Sequence, residues 1–167
     1  MVSCRKLLQQ AVLACVLAIL PVAGASDTNP KAVTGLWLSS KKKVLVDIYP
    51  CAADALCGKI VWLAKPYKNG ELRRDDDNPD PALRDRGWCG IEIIRGLKPD
   101  GGKSWRNGKF YFPKWGQTFD LDIEHKTESS LEMRAYIGVP VLGRSETWTR
   151  PAPDHVTGCV AEPEAKG

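Results

Sequence analysis

Two short segments near opposite ends of the chain constrain its fold most: Gly35-Leu36-Trp37 and Thr147-Trp148-Thr149-Arg150. An arginine closing the last strand and a tryptophan opening the first can meet only if a sheet curls round and closes on itself. A guanidinium over an indole then contributes roughly 0.5–2 kcal/mol. About eight short strand-like runs separate the two segments. The frame predicts a closed, antiparallel, all-β barrel in which Trp37, Trp148 and Arg150 are structural.

Alternation of apolar and polar residues is clearest over Thr118-Phe119-Asp120-Leu121-Asp122-Ile123-Glu124 and again over Leu131 to Ile137. With Lys126 to Ser130 as a turn, these runs predict a hairpin with one wet face. Lys43 to Tyr49, Lys59 to Ala64, Ile91 to Ile94 and Lys109 to Phe112 are apolar on both faces and predict more deeply buried strands. Turn chemistry at Pro99 to Gly102, Asn107-Gly108, Pro113 to Gly116 and Gly138 to Gly143 separates the runs. Short links of this kind favour an up-and-down meander, and its closure removes exposed strand edges. No helical period is sustained, which argues against an α/β fold. One connection is out of scale. Lys65 to Trp88 is read as a long loop without strand character, leading into a helical turn at Ala82 to Arg84, and loops of that length are commonly functional.

The chain opens with Arg5-Lys6, an apolar stretch from Ala11 to Leu20, and Ala23-Gly24-Ala25, a pattern that signal peptidase cuts. Residues 1–25 are therefore expected to be a signal peptide cleaved after Ala25, and residues 26–167 a single barrel domain with a tethered tail. Val12-Leu13-Ala14-Cys15 matches a lipobox only loosely. The apolar stretch is shorter than the ~20 residues a spanning helix needs, so no membrane span is expected. Periplasmic or secreted is the compartment this implies.

Loss of the leader removes two basic residues and no acidic one from 24 and 20, taking the formal charge from +4 to +2. That near neutrality, without an arginine–lysine stripe, argues against nucleic acid as a partner. Lys41-Lys42-Lys43 reads as a solvated hairpin tip. Four cysteines remain, Cys51, Cys57, Cys89 and Cys159, and an even count in an exported chain implies two disulfides with three connectivities open. The favoured set pairs Cys51 with Cys57 across a strand connection and Cys89 with Cys159 as a staple for the tail. Loop entropy alone assigns them roughly 2 and 4 kcal/mol.

Asn78-Pro79-Asp80-Pro81 followed by Arg84 and Arg86, the Leu56 to Leu63 strand, and Gly138-x-Pro140-x-x-Gly143-Arg144-x-x-Thr147-Trp148-Thr149-Arg150 together resemble the DUF2147 family of small exported bacterial proteins. The resemblance covers essentially the whole expected mature chain. It implies a lipocalin-like or calycin-like barrel and carries no biochemical activity with it. Gly35-x-Trp37 is also similar to the pattern that opens lipocalin barrels, with an arginine of the last strand over the tryptophan. Where this chain has Gly87-Trp88-Cys89, similar proteins have an Arg-Pro-Leu stretch, so the resemblance does not speak to the pairing of Cys89.

No G-x-S-x-G or H-E-x-x-H is present, so no catalytic residue is nominated, and no cofactor or metal is expected. The acidic run Asp75 to Asp80 lacks the glycine and distal glutamate of an EF-hand and reads as a solvated turn capped by Asn78 and Asp80. Trp62, Trp105 and Trp115 are the tryptophans left free for a ligand, and period 2 places Ile60 with Trp62 on one strand face. Arg144, Glu146 and Trp148 share another. The candidate ligand-binding residues are thus Trp62, Arg95, Tyr111, Tyr136, Arg144 and Glu146. The expected function is to bind a small hydrophobic or amphipathic molecule, with the long loop as a gate. An envelope protein docking a filled barrel is the alternative, and a hydrolase-type enzyme ranks third.

Overall fold

The computed structural model describes residues 29–52, 54–153 and 159. The expected leader, its cleavage point after Ala25 and most of the C-terminal tail lie outside the described residues. Eight strands close into a barrel in the order β1-β10-β9-β8-β7-β6-β3-β2, every neighbouring pair antiparallel. They are β1 (Gly35–Leu38), β2 (Val44–Ala52), β3 (Ala55–Leu63), β6 (Glu92–Pro99), β7 (Ser104–Phe112), β8 (Gln117–Thr127), β9 (Ser130–Tyr136) and β10 (Arg144–Thr149). A separate two-stranded hairpin, β4 (Tyr67–Lys68) and β5 (Glu71–Leu72), departs from the meander between β3 and β6.

The long connection therefore contains strand structure after all. Asn69 and Gly70 both take positive φ, which is the geometry that a two-residue hairpin turn demands, so β4 and β5 form locally. A 3-10 turn follows at Pro81–Leu83, and the Asp80 carboxylate caps it by accepting from the Ala82 N–H at 2.9 Å.

Two other expectations fail for one reason, a bulge. Asn107-Gly108 is not a turn but an irregularity inside β7, where the register shifts between Trp105 and Gly108. Asn107 carries the positive φ that a turn would have used. A Cβ on Gly108 would stand 2.6 Å from Leu97 Cδ1, so the missing side chain is what lets Leu97 close on the strand. In β3 the register shifts opposite Leu45/Val46, which pair with Trp62 and Ile60. The extra residue brings Ile60 and Leu63 to the core, whereas Trp62 stands opposite Leu45 and outside that core cluster.

Because the strands run alternately up and down, their connections gather at two ends. The 100–103 and 128–129 turns and the segment before β1 form the base, and the 39–43, 64–91, 113–116 and 137–143 connections form the mouth. The base is filled. Trp37, Val46, Ile48, Leu97, Trp105 and Ile123 are at most 1 % exposed. Trp105, expected to be available to a ligand, is part of this packing. Arg150 lies across the seam with its guanidinium carbon 3.7 Å from the Trp37 ring centroid. Its nitrogens donate to the carbonyls of Ala32, Thr34 and Leu36 at 3.0–3.2 Å, and Trp37 Nε1 donates to Val33 O at 2.7 Å. Gly35 has φ +94°, and a Cβ there would lie 3.2 Å from Arg150 Nη1, so both backbone and space call for glycine.

Two disulfides complete the framework. Cys51 joins Cys57 across the β2–β3 connection, and Cys89 joins Cys159.

Candidate functional site

Above the packed base lies a cavity of about 1160 Å³ that opens at the mouth. The strand alternation explains its wall. Inward positions of β7, β8, β9 and β10 supply Phe110, Leu121, Met133 and Trp148, while Ile60, Leu63 and Ile93 come from β3 and β6. Trp148 meets Phe110 edge-on at 6.5 Å between ring centroids.

Nearer the opening an aromatic group forms on the β7–β8 turn. Phe112 and Trp115 lie 4.6 Å apart, and Trp115 meets Phe119 at 6.4 Å. Trp115 is 61 % exposed, far more than an aromatic side chain in a core. Ile137 and Leu142, from the β9–β10 connection, also line the opening and are exposed to solvent.

The long connection forms part of the rim, since Lys65, Arg73 and Trp88 line the cavity. Arg73 sits over the Trp88 ring at 5.3 Å and donates from Nε to Lys65 O at 2.8 Å. Its middle is pinned by Asp75. That carboxylate, expected to be solvated, is fully buried. It accepts from Arg86 Nε and Nη2 at 2.9 and 2.7 Å, from Asn78 Nδ2 at 2.6 Å and from the Tyr111 hydroxyl at 2.5 Å. A buried charge is tolerated only when paired and hydrogen-bonded in this way. Burial and the neighbouring carboxylate push the Tyr111 phenol up to about 12. The same loop presses on the β7–β8 turn at Gly116, where φ is +58° and a Cβ would overlap the Asp77 carbonyl oxygen.

Of the residues nominated from sequence, Tyr111, Tyr136, Arg144 and Glu146 line the cavity. Arg144, Glu146 and Trp148 do share the inner face of β10, and Glu146 accepts from Ser40 Oγ at 3.2 Å across the barrel seam. Trp62 and Arg95 do not line it. Trp62 is turned away by the β3 bulge, and Arg95 pairs with Glu92 on the outer wall at 2.9 Å. Tyr111 serves the loop anchor with its hydroxyl, and Asn78 shares that structural role, donating also to the loop's Asp75 and to Tyr111.

Sequence reasoning passed over Phe110, Phe112 and Phe119, although period 2 along β7 and β8 puts them on the inward face. It also passed over Lys41, Lys43, Lys65, Lys114 and Arg73, all of which line the opening. The outer face of β8 is less wet than its pattern implies, because Asp122 is buried and bonded to Arg106 Nη1 at 3.0 Å.

An eight-stranded up-and-down barrel, closed at one end by a stacked Trp–Arg pair and open at the other onto an apolar cavity, has the architecture of a lipocalin-like protein. The family model described as "Uncharacterized protein conserved in bacteria (DUF2147)" matches residues 35–150, and the chain belongs to that family. Among solved structures, it is similar to protein HP1028 from the human pathogen Helicobacter pylori, which belongs to the lipocalin family. The TM-score is 0.64 and the identity 22 %, over 72 % of this chain and 83 % of that one. At that identity the likeness is one of fold. No curated protein matches the chain.

Proposed function

We propose that this protein is exported, cleaved after Ala25 to a single barrel domain, and binds a small hydrophobic or amphipathic molecule in its cavity. The observation that carries this reading is an apolar cavity of about 1160 Å³ above a packed base. Its size lies slightly above the roughly 300–1,000 Å³ that small-molecule sites occupy. Binding would work by burial, with about 25 cal/mol gained per Å² of apolar surface withdrawn from water. Two disulfides suit an oxidising compartment. No helix among the described residues is long and apolar enough to cross a membrane.

A cavity of that size weighs against the alternative of a filled barrel acting only as a docking module. Anchorage by Asp75 supports a fixed rim over the swinging gate that the loop's length suggests.

The test is titration of the delipidated protein with 1-aminoanthracene, a neutral apolar fluorophore. Saturable binding at one site per chain is expected. Absence of binding by folded, delipidated protein would overturn the reading.

A further inference from the structure

Charge around the cavity is distributed quite differently from charge on the outer wall. On the wall, several cations are paired with carboxylates: Arg95 with Glu92, Arg106 with Asp100 and Asp122, Lys109 with Asp120, and Lys126 with Glu124. The cavity opening collects Lys41, Lys43, Lys65, Arg73, Lys114 and Arg144 against one lining carboxylate, Glu146. Glu146 is engaged by Ser40. Among the described residues, none of these six cations forms an ion pair.

The six come from four different connections: the β1–β2 turn, the long loop, the β7–β8 turn and the start of β10. They converge only because the barrel brings its mouth connections together. Their placement is therefore a property of the cavity, not of one basic stretch of sequence. Like charges so gathered repel one another, and a low-dielectric cavity beside them focuses their field outward. Lysine and arginine also lay apolar stems along an apolar surface while keeping the charged head at the water boundary. A tail buried against Phe110, Leu121, Met133 and Trp148 would leave its polar end at that boundary.

We propose that the ligand is an anionic amphiphile, an apolar tail carrying a carboxylate, phosphate or sulfonate head, with the tail in the barrel and the head among the mouth cations. The proposal rests on the binding reading above and adds the sign of the head-group charge. Lys65 and Arg144 stand on opposite connections of the opening and are the two residues whose removal should weaken head-group attraction without disturbing the wall. Both are exposed, and neither belongs to the apolar core.

The experiment is displacement of 1-aminoanthracene by three ligands with the same twelve-carbon tail: dodecanoate, dodecanol and dodecylammonium. Expected is an order dodecanoate, dodecanol, dodecylammonium, with dodecanoate at least tenfold tighter than dodecanol at low salt. Raising ionic strength to 1 M, where screening acts over about 3 Å, should shrink that ratio several-fold. Lys65→Gln with Arg144→Gln should bring dodecanoate affinity down toward that of dodecanol, whereas Lys98→Gln on the outer wall should leave it as it was.

Equal displacement by all three ligands, or tightest displacement by dodecylammonium, would overturn the charge proposal while leaving the binding reading in place. Failure of 1-aminoanthracene to bind at all would overturn both. A separate arm distinguishes a bound amphiphile from a lipid surface. If the protein shows no head-group preference in displacement yet sediments with phosphatidylglycerol vesicles and not with phosphatidylcholine vesicles, the cations serve a membrane surface and the proposal falls.

Discussion

The two ends of this barrel are built from the same eight strands and follow opposite rules. At the base the large apolar side chains are buried and the closing arginine is engaged: Arg150 is stacked on Trp37 and bonded to backbone carbonyls from the segment around β1. Burial there is deep enough to lower Arg150 below its ordinary pKa, and burial with the Lys103 and Arg150 charges lowers His125. At the mouth, aromatic and aliphatic side chains stand exposed and the cations that line the cavity are outside any ion pair among the described residues. Stability is concentrated where the barrel is closed, and the surface left unsatisfied is where it is open.

The largest effect should come from the base. Trp37→Ala is expected to cost about 3–5 kcal/mol in denaturant unfolding, since it empties a packed site. Arg150→Ala should couple to it by roughly 0.5–2 kcal/mol in a double-mutant cycle. Additive losses would mean that the stacked pair does not close the barrel.

The Cys89–Cys159 link comes next. Replacing both cysteines with serine should lower stability by about 4 kcal/mol, because the link closes a loop with a sequence separation of 70 residues. The Cys51–Cys57 pair, separated by 6, should cost about half as much.

Third is the loop anchor, which lies between the two regimes: a buried ion pair serving the mouth. Asp75→Ala strands Arg86 and should cost about 3 kcal/mol, with exchange protection lost first at the Asp75, Asn78 and Trp88 amides. The anchor should also fail in alkali. Tyr111 is raised from its ordinary 10 to about 12, as is Tyr49 beside Glu92, so the folded state favours the neutral phenol. That contribution is fully present below pH 10 and is lost as pH rises through about 12. Tyr111→Phe should flatten this part of the stability profile.

Smallest is the effect of the mouth cations on folding. Arg144→Gln is expected to change stability by less than about 0.5 kcal/mol, as exposed, unpaired side chains do. A loss as large as that at the base would erase the distinction between the ends.

The closed end was legible because its signals are local and rigidly spaced: a glycine two residues before a tryptophan, and an arginine ending the last strand. The mouth was less so, for reasons that can be named. A bulge borrows the Asn-Gly chemistry of a turn, so 107–108 looked like a break in a continuous strand. One extra residue in β3 breaks a period-2 argument, so Ile60 joins the core while Trp62, grouped with it by alternation, does not. Asp75 looked like its neighbours Asp76 and Asp77, yet its burial depends on Arg86 and Tyr111, 11 and 36 residues away. Lys41 and Lys43 do occupy a hairpin tip, but what a tip faces is decided by the curvature of the whole sheet. The face that Arg144 and Glu146 share on β10 was visible because a regular strand needs nothing beyond its own alternation.

The most direct test is to crowd the cavity wall and leave the base alone. Met133→Trp places a larger side chain on the inner wall of β9, at a position that lines the cavity. Titration of this variant with 1-aminoanthracene, beside the parent protein, should show one-site binding weakened several-fold while the thermal transition stays cooperative. Unchanged binding by the folded variant would contradict the account, because the ligand would then be held somewhere other than against this wall of the barrel.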